Sequence, residues 1–312
     1  MHHADRQVRK RVFLKIVKFI AAALLLGLLL VAGFSWQMGG QLISAQPAVI
    51  PEAPRDLHVE SVSIPTNDGQ FVSGWWIQGK ADKPSVLLLH GVRSNRMAMI
   101  GRARSLVARG YSVLLLDLQA HGESPGKVIT LGLRESLGVE AGREWILKKN
   151  PGRKIGVIGV SLGGASVLLG KMPCGFDAVV LEAVYSNIHR AIRNRLSIRF
   201  GRLAPYLVPL LEMQLQPRTG ISPEQLAPVD HISQLGAPVL ILAGDHDRHT
   251  NIDESEEMYR RAKNPKFIWV VPNASHEDFY ARIPSQYDEH VIGFLERYLE
   301  NPGNAITASD IR

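Results

Sequence analysis

Residues 154–172, KIGVIGVSLGGASVLLGKM, constrain the fold of this chain more than any other stretch. The apolar run 155–160 has the length and composition of a buried parallel strand, and 164–171 suits a helix. Between them, Gly159-Val160-Ser161-Leu162-Gly163 must turn the chain from strand to helix within a few residues. A G-x-S-x-G at such a junction holds its serine in a strained backbone conformation, and small flanks at Gly159 and Gly163 let strand and helix approach closely. The turn lifts the Ser161 hydroxyl above the sheet edge and aims the next backbone N–H groups at an oxyanion. Taken alone, the pentapeptide also describes a glycine-rich turn with an incidental serine. The rest of the chain separates the two.

The 312 residues leave room for one large α/β domain and little more. A formal charge of +7 suggests a polyanion partner until it is localised. Residues 1–18 hold Arg6, Arg9, Lys10, Arg11, Lys15 and Lys18 against Asp5, which supplies +5 of the total and leaves little support for nucleic-acid binding. Cys174 is the only cysteine, so no internal disulfide forms and cysteine usage does not report a redox compartment.

After the basic cluster, residues 19–36 (FIAAALLLGLLLVAGFSW) carry no charge and one polar side chain, Ser35. That run approaches the length of a bilayer-spanning helix, with Lys15 and Lys18 able to snorkel toward headgroups. The expected organisation is a basic cytoplasmic segment, 1–18, then a transmembrane signal anchor, 19–38. An extended linker, 39–56, containing Pro47, Pro51 and Pro54, leads away from the membrane. Such an anchor places the remainder outside the cytoplasm, in a bacterium on the outer side of the inner membrane. A cleaved signal peptide with its site near Ile43-Ser44-Ala45 is the competing reading. The length of the apolar run favours the anchor.

From residue 57 the pattern is that of a mostly parallel sheet with helices on both faces. Residues 57–64 and 71–77 alternate as strands around the turn signal Asn67-Asp68-Gly69, which predicts an antiparallel opening pair. The apolar runs 85–89 and 112–118 read as central parallel strands. Helical segments at 97–109 and 133–149 separate them from each other and from the strand at 155–160, the second with Leu137, Ala141, Trp145 and Ile146 near one face. Polar motifs follow each strand: His90-Gly91 after the first, and Asp117 with His121-Gly122-Glu123-Ser124 after the second.

Together with the G-x-S-x-G pentapeptide, and in this order, these motifs resemble the α/β-hydrolase superfamily, in particular its serine-aminopeptidase-like and esterase-like members. The similarity covers about 57–300. Val92-Arg93 departs from the further glycines that many lipases and esterases carry there. The resemblance implies an oxyanion hole built from the backbone N–H groups of Val92 and Leu162. His90, Asp117 and His121 suit loop-fixing hydrogen bonds better than chemistry.

Beyond the strand at 177–182 no central-strand signal occurs until 238, and the resemblance implies a helical cap at about 184–235 inside a domain spanning 57–302. In that segment Ile188, Ile192, Leu196 and Leu203 share one helical face. Arg190, Arg193, Arg195, Arg199 and Arg202 populate the rest, either as a solvated face or as a contact for anionic headgroups or an acidic substrate. The strand at 238–243 ends in Gly244-Asp245-His246-Asp247. In the family the acid lies three residues beyond the glycine, which selects Asp247 over Asp245. The last strand, 266–271, is followed by a loop containing His276. A C-terminal amphipathic helix over 284–300 and a short tail, 303–312, complete the chain.

A serine hydroxyl is a weak nucleophile at neutral pH. His276 can remove its proton, and Asp247 can orient the imidazole and stabilise it once charged. The sequence therefore predicts a membrane-anchored serine hydrolase with Ser161, Asp247 and His276 as catalytic residues, needing no metal or organic cofactor. It would act on a carboxylic ester, with lipid or acyl substrates favoured by the anchor and cap. Peptidase or thioesterase chemistry uses the same residues. A non-catalytic binding module on this fold is the reading of another class.

Overall fold

The computed structural model describes residues 2–300, with side chains from Arg9 onward. The expected tail, 303–312, lies outside the described residues. The strands are β1 Gln46–Pro47, β2 Val59–Pro65, β3 Phe71–Ile77, β4 Ser85–Leu89, β5 Ser112–Leu116, β6 His121–Gly122, β7 Ile155–Val160, β8 Ala178–Glu182, β9 Val239–Gly244 and β10 Lys266–Val271. The helices are α1 His2–Leu42, α2 Ile100–Ala108, α3 Glu135–Lys149, α4 Leu162–Leu168, α5 Ile188–Phe200 and α6 Ala204–Glu212, followed by α7 Leu215–Thr219, α8 Pro228–His231, α9 Ile252–Arg261, α10 Phe279–Arg282, α11 Pro284–Tyr287 and α12 Gly293–Leu299.

Eight strands form one sheet in the order β10-β9-β8-β7-β4-β5-β3-β2. The five pairings from β10 across to β5 are parallel, while β3 pairs antiparallel with both β2 and β5. The central strands are buried on both faces, so their apolar runs are continuous. Their pleat sorts side chains between two cores: Leu87, Leu89, Leu114 and Leu116 pack on one side of the sheet, and Val86, Leu88, Val113 and Leu115 on the other. Helices α5 to α8 fill the interval between β8 and β9.

Three expectations need correction. First, 39–56 is not a free tether. Helix α1 runs on to Leu42, Ile43 is buried, and β1 pairs with β6 through Gln46 N–H to Ala120 O (2.7 Å) and Ala48 N–H to Gly122 O (2.9 Å). The loop at 118–122 offers unpaired backbone groups, and the extended chain satisfies them. Second, α3 buries Ser136, Gly138, Val139, Gly142 and Ile146, while Leu137, Ala141 and Trp145 sit only partly covered at its flanks. The sheet approaches so closely that a Cβ on Gly142 would stand 2.7 Å from Leu116 Cδ1, so small residues mark the inner face. Third, Arg195 does not belong to a solvated face, as described below. The C-terminal helix expected over 284–300 is present, running from α11 through a π-turn, Asp288–Ile292, into α12. There Asp288 accepts Ser105 Oγ–H (2.6 Å) and pairs with Arg109 (3.2 Å).

Candidate functional site

Register decides where the polar loops meet. Leu89 lies beside Gly159, Val160 beside Glu182, Glu182 beside Leu242, and Gly244 beside Val271. The loops after β4, β7, β8, β9 and β10 therefore all leave the sheet at one edge. In open α/β sheets that edge, at the carboxyl ends of parallel strands, is where ligands bind.

Ser161 occupies the turn between β7 and α4 with φ 47° and ψ −103°. A non-glycine residue there carries a strain of roughly 1–3 kcal/mol, which the surroundings must offset. The Ser161 N–H donates to Glu182 O (2.7 Å), and its carbonyl accepts from Ala165 (3.0 Å). The flanking glycines are needed for space: a Cβ on Gly159 would lie 2.6 Å from Gly164 Cα, and one on Gly163 2.5 Å from Leu89 O. Ser161 is nearly buried, and among the described residues its hydroxyl makes no hydrogen bond to another side chain.

Asp247 and His276 are brought together. His276 Nδ1 lies 2.7 Å from Asp247 Oδ2, while Asp247 Oδ1 accepts the N–H groups of His249 (2.7 Å) and Thr250 (2.9 Å). The carboxylate is buried, so three donors compensate its lost hydration. Asp245 is exposed and takes no part in this network. The acid and histidine loops are tied to one another by His246 N–H to Ala274 O (3.0 Å), and the acid loop to the end of β8 by Thr250 Oγ1–H to Ala183 O (3.2 Å).

The loop after β4 stands against the serine: a Cβ on Gly91 would lie 3.7 Å from Ser161 Cβ. Two buried histidines shape it. His90 Nε2 accepts Leu118 N–H (3.0 Å), which leaves Nδ1–H to donate to Gly91 O (2.7 Å). Burial pushes the His90 pKa down to about 3, so the ring is neutral at physiological pH. His121 Nε2 accepts Arg93 N–H (3.2 Å) and its Nδ1–H donates to Gln119 O (2.9 Å); burial lowers its pKa as well. The Arg93 N–H is thereby occupied, and among the described residues no acceptor receives the Val92 N–H. Leu162, first residue of α4, has no carbonyl one turn earlier in the helix to receive its N–H.

Charged groups beneath these loops complete the scaffold; Asp117 fixes its loop as expected, whereas the pairing of Arg102 with Glu182 carried no sequence pattern. Asp117 accepts the N–H groups of Arg96 (2.8 Å) and Glu123 (2.9 Å) and pairs with the Arg96 guanidinium (2.9 Å). Arg102 on α2 makes a bidentate pair with Glu182 (3.1 and 2.7 Å), joined by Tyr287 Oη at 3.0 Å from Arg102 Nε. Glu182 is the residue whose carbonyl receives the Ser161 N–H, so this ion pair steadies the elbow. The one signal available beforehand was a glutamate closing an otherwise apolar strand. Arg195 lies on the inward side of α5 with Ile188, Ala191 and Ile192; its charge neighbours are Asp247, Glu254, Tyr185 and Arg93, and burial lowers its pKa. Burial also lowers the pKa of His249, helped by the positive charge of Arg195; its ring centroid is 5.3 Å from that of His276. Among the described residues no group of His, Cys, Asp and Glu has the arrangement of a metal site.

A sequence profile of the alpha/beta hydrolase family matches residues 86–287. YqkD of Bacillus subtilis is 23% identical over 237 residues, covering 75% of this chain and 78% of that protein. YfhR of Escherichia coli K12 is 26% identical over 265 residues, covering 80% and 85% respectively. The Pyrococcus furiosus esterase Pf2001 superposes with a TM-score of 0.67 at 25% identity, over 82% of this chain and 98% of its own. The eight-stranded sheet, the elbow and the profile match lead to one conclusion: the chain belongs to the alpha/beta hydrolase family.

Proposed function

We propose that this protein is a membrane-anchored serine hydrolase that cleaves carboxylic esters through an acyl-enzyme. The observation that carries the reading is the paired Asp247 and His276 at the same sheet edge as Ser161, whose backbone is held in the strained elbow conformation. In the first step Ser161 Oγ attacks the ester carbonyl carbon while His276 Nε2 takes its proton. Asp247 keeps the other ring proton on Nδ1 and stabilises the imidazolium. The Val92 and Leu162 N–H groups donate to the tetrahedral oxyanion, an interaction of roughly 3–4 kcal/mol per donor in comparable sites. Collapse breaks the C–O bond, and His276 returns the proton to the leaving alcohol. Water, deprotonated by the same nitrogen, then releases the acid and restores Ser161. Similarity to an esterase at 25% identity supports ester substrates.

The membrane reading rests on α1. Among its described side chains, the large hydrophobic residues from Val12 to Phe34 are exposed on every side, and the helix is long and apolar enough to cross a bilayer. An exposed helix that is apolar all round has no stable position in water. The basic residues before it assign the N-terminus to the cytoplasm and the hydrolase domain to the opposite side. Labelling by a fluorophosphonate probe tests the chemistry: folded parent protein is expected to label and Ser161→Ala to remain unlabelled. An unlabelled, folded parent would refute the proposal. Retention in the membrane pellet after alkaline carbonate extraction tests the anchor, and release into the supernatant would refute it.

A further inference from the structure

Helix α1 does not simply lead into the domain; its last two turns are gripped by the cap. Gln214 Nε2 donates to Ser35 Oγ (2.9 Å), and Ser35 Oγ–H donates to Leu210 O (3.3 Å). Arg218 lies over the Trp36 ring at 3.8 Å and also donates to the Trp36 carbonyl. Gly39 is buried against the Gln214 side chain, and Gly40 faces Arg218 at 3.0 Å from a notional Cβ. Arg93, in the loop beside Ser161, donates to Gln41 O (2.7 Å).

The height of this junction follows from the sequence. Counting from Lys18, about 20 residues at roughly 1.5 Å each cross a hydrocarbon core of about 30 Å. The far boundary then falls near Met38, within the stretch that α6 and α7 hold. The cap is therefore fixed at the depth where α1 emerges.

What the cap shows at that level is apolar. Residues 203–211 contain no charge. Helix α6 turns Ala204, Val208 and Leu211 into the core, yet leaves Leu203, Tyr206 and Met213 exposed at 62%, 78% and 75%. Arg199 and Arg202, just before α6, are exposed and engage no carboxylate among the described residues. An apolar face ending in Tyr and bordered by exposed arginines, continuous with a tryptophan-bearing apolar helix, has the make-up of a surface that lies in a lipid interface.

We infer that the outer face of the cap, Leu203, Tyr206 and Met213 with Arg199 and Arg202, docks on the outer leaflet of the bilayer crossed by α1, with the arginines on anionic headgroups. The inference rests on the anchor reading above and deepens it. It holds the hydrolase by two points, so that the cap over Ser161 faces the lipid surface and the site receives acyl substrates from there.

The test uses the full chain in vesicles of zwitterionic lipid with and without a fraction of anionic phosphatidylglycerol. With Cys174→Ala as background, an environment-sensitive fluorophore is placed at Tyr206→Cys, at Met213→Cys, and at Arg153→Cys beside the opposite edge of the sheet. Labels at 206 and 213 are expected to shift to the blue and be quenched by nitroxide carried on shallow lipid positions, while the label at 153 is quenched only by aqueous iodide. The pair Arg199→Gln and Arg202→Gln should reduce the anionic-lipid effect by roughly fivefold per charge at low salt. Aqueous quenching at 206 and 213 matching that at 153, in protein resistant to carbonate extraction, overturns the docking and leaves the anchor standing. Release by carbonate overturns both.

Discussion

Replacing Asp247 by Asn isolates the role assigned to the carboxylate while keeping its volume. In the native site Oδ1 receives two backbone N–H groups, from His249 at 2.7 Å and Thr250 at 2.9 Å, and Oδ2 faces His276 Nδ1 at 2.7 Å. An asparagine has one acceptor oxygen and one donor amide. The oxygen is required by the two N–H groups, since turning the amide toward them would oppose donor to donor in a buried position. The amide N–H₂ must then face His276 Nδ1, which can only accept by giving up its proton. The tautomer inverts: Nε2 carries the hydrogen and has no lone pair to receive the Ser161 proton. Loss of the base in this way costs about 10⁴ in kcat in related triads, equivalent to roughly 5.4 kcal/mol of transition-state stabilisation. Folding should change by only about 1–2 kcal/mol, because both backbone N–H groups keep an acceptor. The assay is kcat and KM on a p-nitrophenyl ester, beside thermal unfolding of the same preparations. Exposed Asp245→Asn is the control and should retain parental kcat. A kcat for Asp247→Asn within tenfold of the parent, or a larger loss for Asp245→Asn, would refute the assignment of the acid.

Two further outcomes concern the scaffold. His90 holds a proton near pH 6.5 in the unfolded chain but only near about 3 when folded, so over that interval the unfolded state binds more protons and stability falls as pH falls. Denaturant unfolding should lose about 2 kcal/mol from this residue between pH 6.5 and 5, with His121 acting in the same direction; stability unchanged over that range would contradict the buried neutral rings. Glu182→Gln keeps the shape of the Arg102 pair and removes its charge. It should destabilise by about 3 kcal/mol, the lower end for a broken buried pair because Asp278 still lies 2.8 Å from Arg102 Nη1. A denaturant midpoint equal to the parent's would show that the pair does not steady the elbow.

Much of the fold was legible in the residues because its signals are local. Apolar runs of five or six residues bounded by polar loops mark the buried strands, and a G-x-S-x-G between strand and helix dictates a tight turn wherever it occurs. The order of strands and helices then restricts the sheet to mostly parallel pairing, with β2 and β3 antiparallel across Asn67-Asp68-Gly69. The strands that precede Asp247 and His276 could be read the same way, while the choice of Asp247 over Asp245 came from the resemblance to the family. Charge localisation likewise separated a basic leader from a nearly neutral domain.

What the tertiary structure decided is everything that depends on contacts between distant residues. Arg102 and Glu182 are 80 positions apart, and nothing local in either helix or strand announces that they share a buried site. His121 accepts the Arg93 N–H across 28 positions, which fixes the loop after β4 beside Ser161. The inner face of α3 is marked by Gly138 and Gly142, because the sheet approaches too closely for side chains; a hydrophobicity pattern reads such positions as empty. The stretch 39–56 reads as a proline-punctuated linker by composition, yet the backbone within it at 46–48 completes the edge of the loop at 118–122. Composition specified an apolar helix, and the resemblance to the family implied a helical cap, each separately. Only packing joined Trp36 to Arg218, because a junction between segments 182 residues apart is encoded in their matching surfaces rather than in either one.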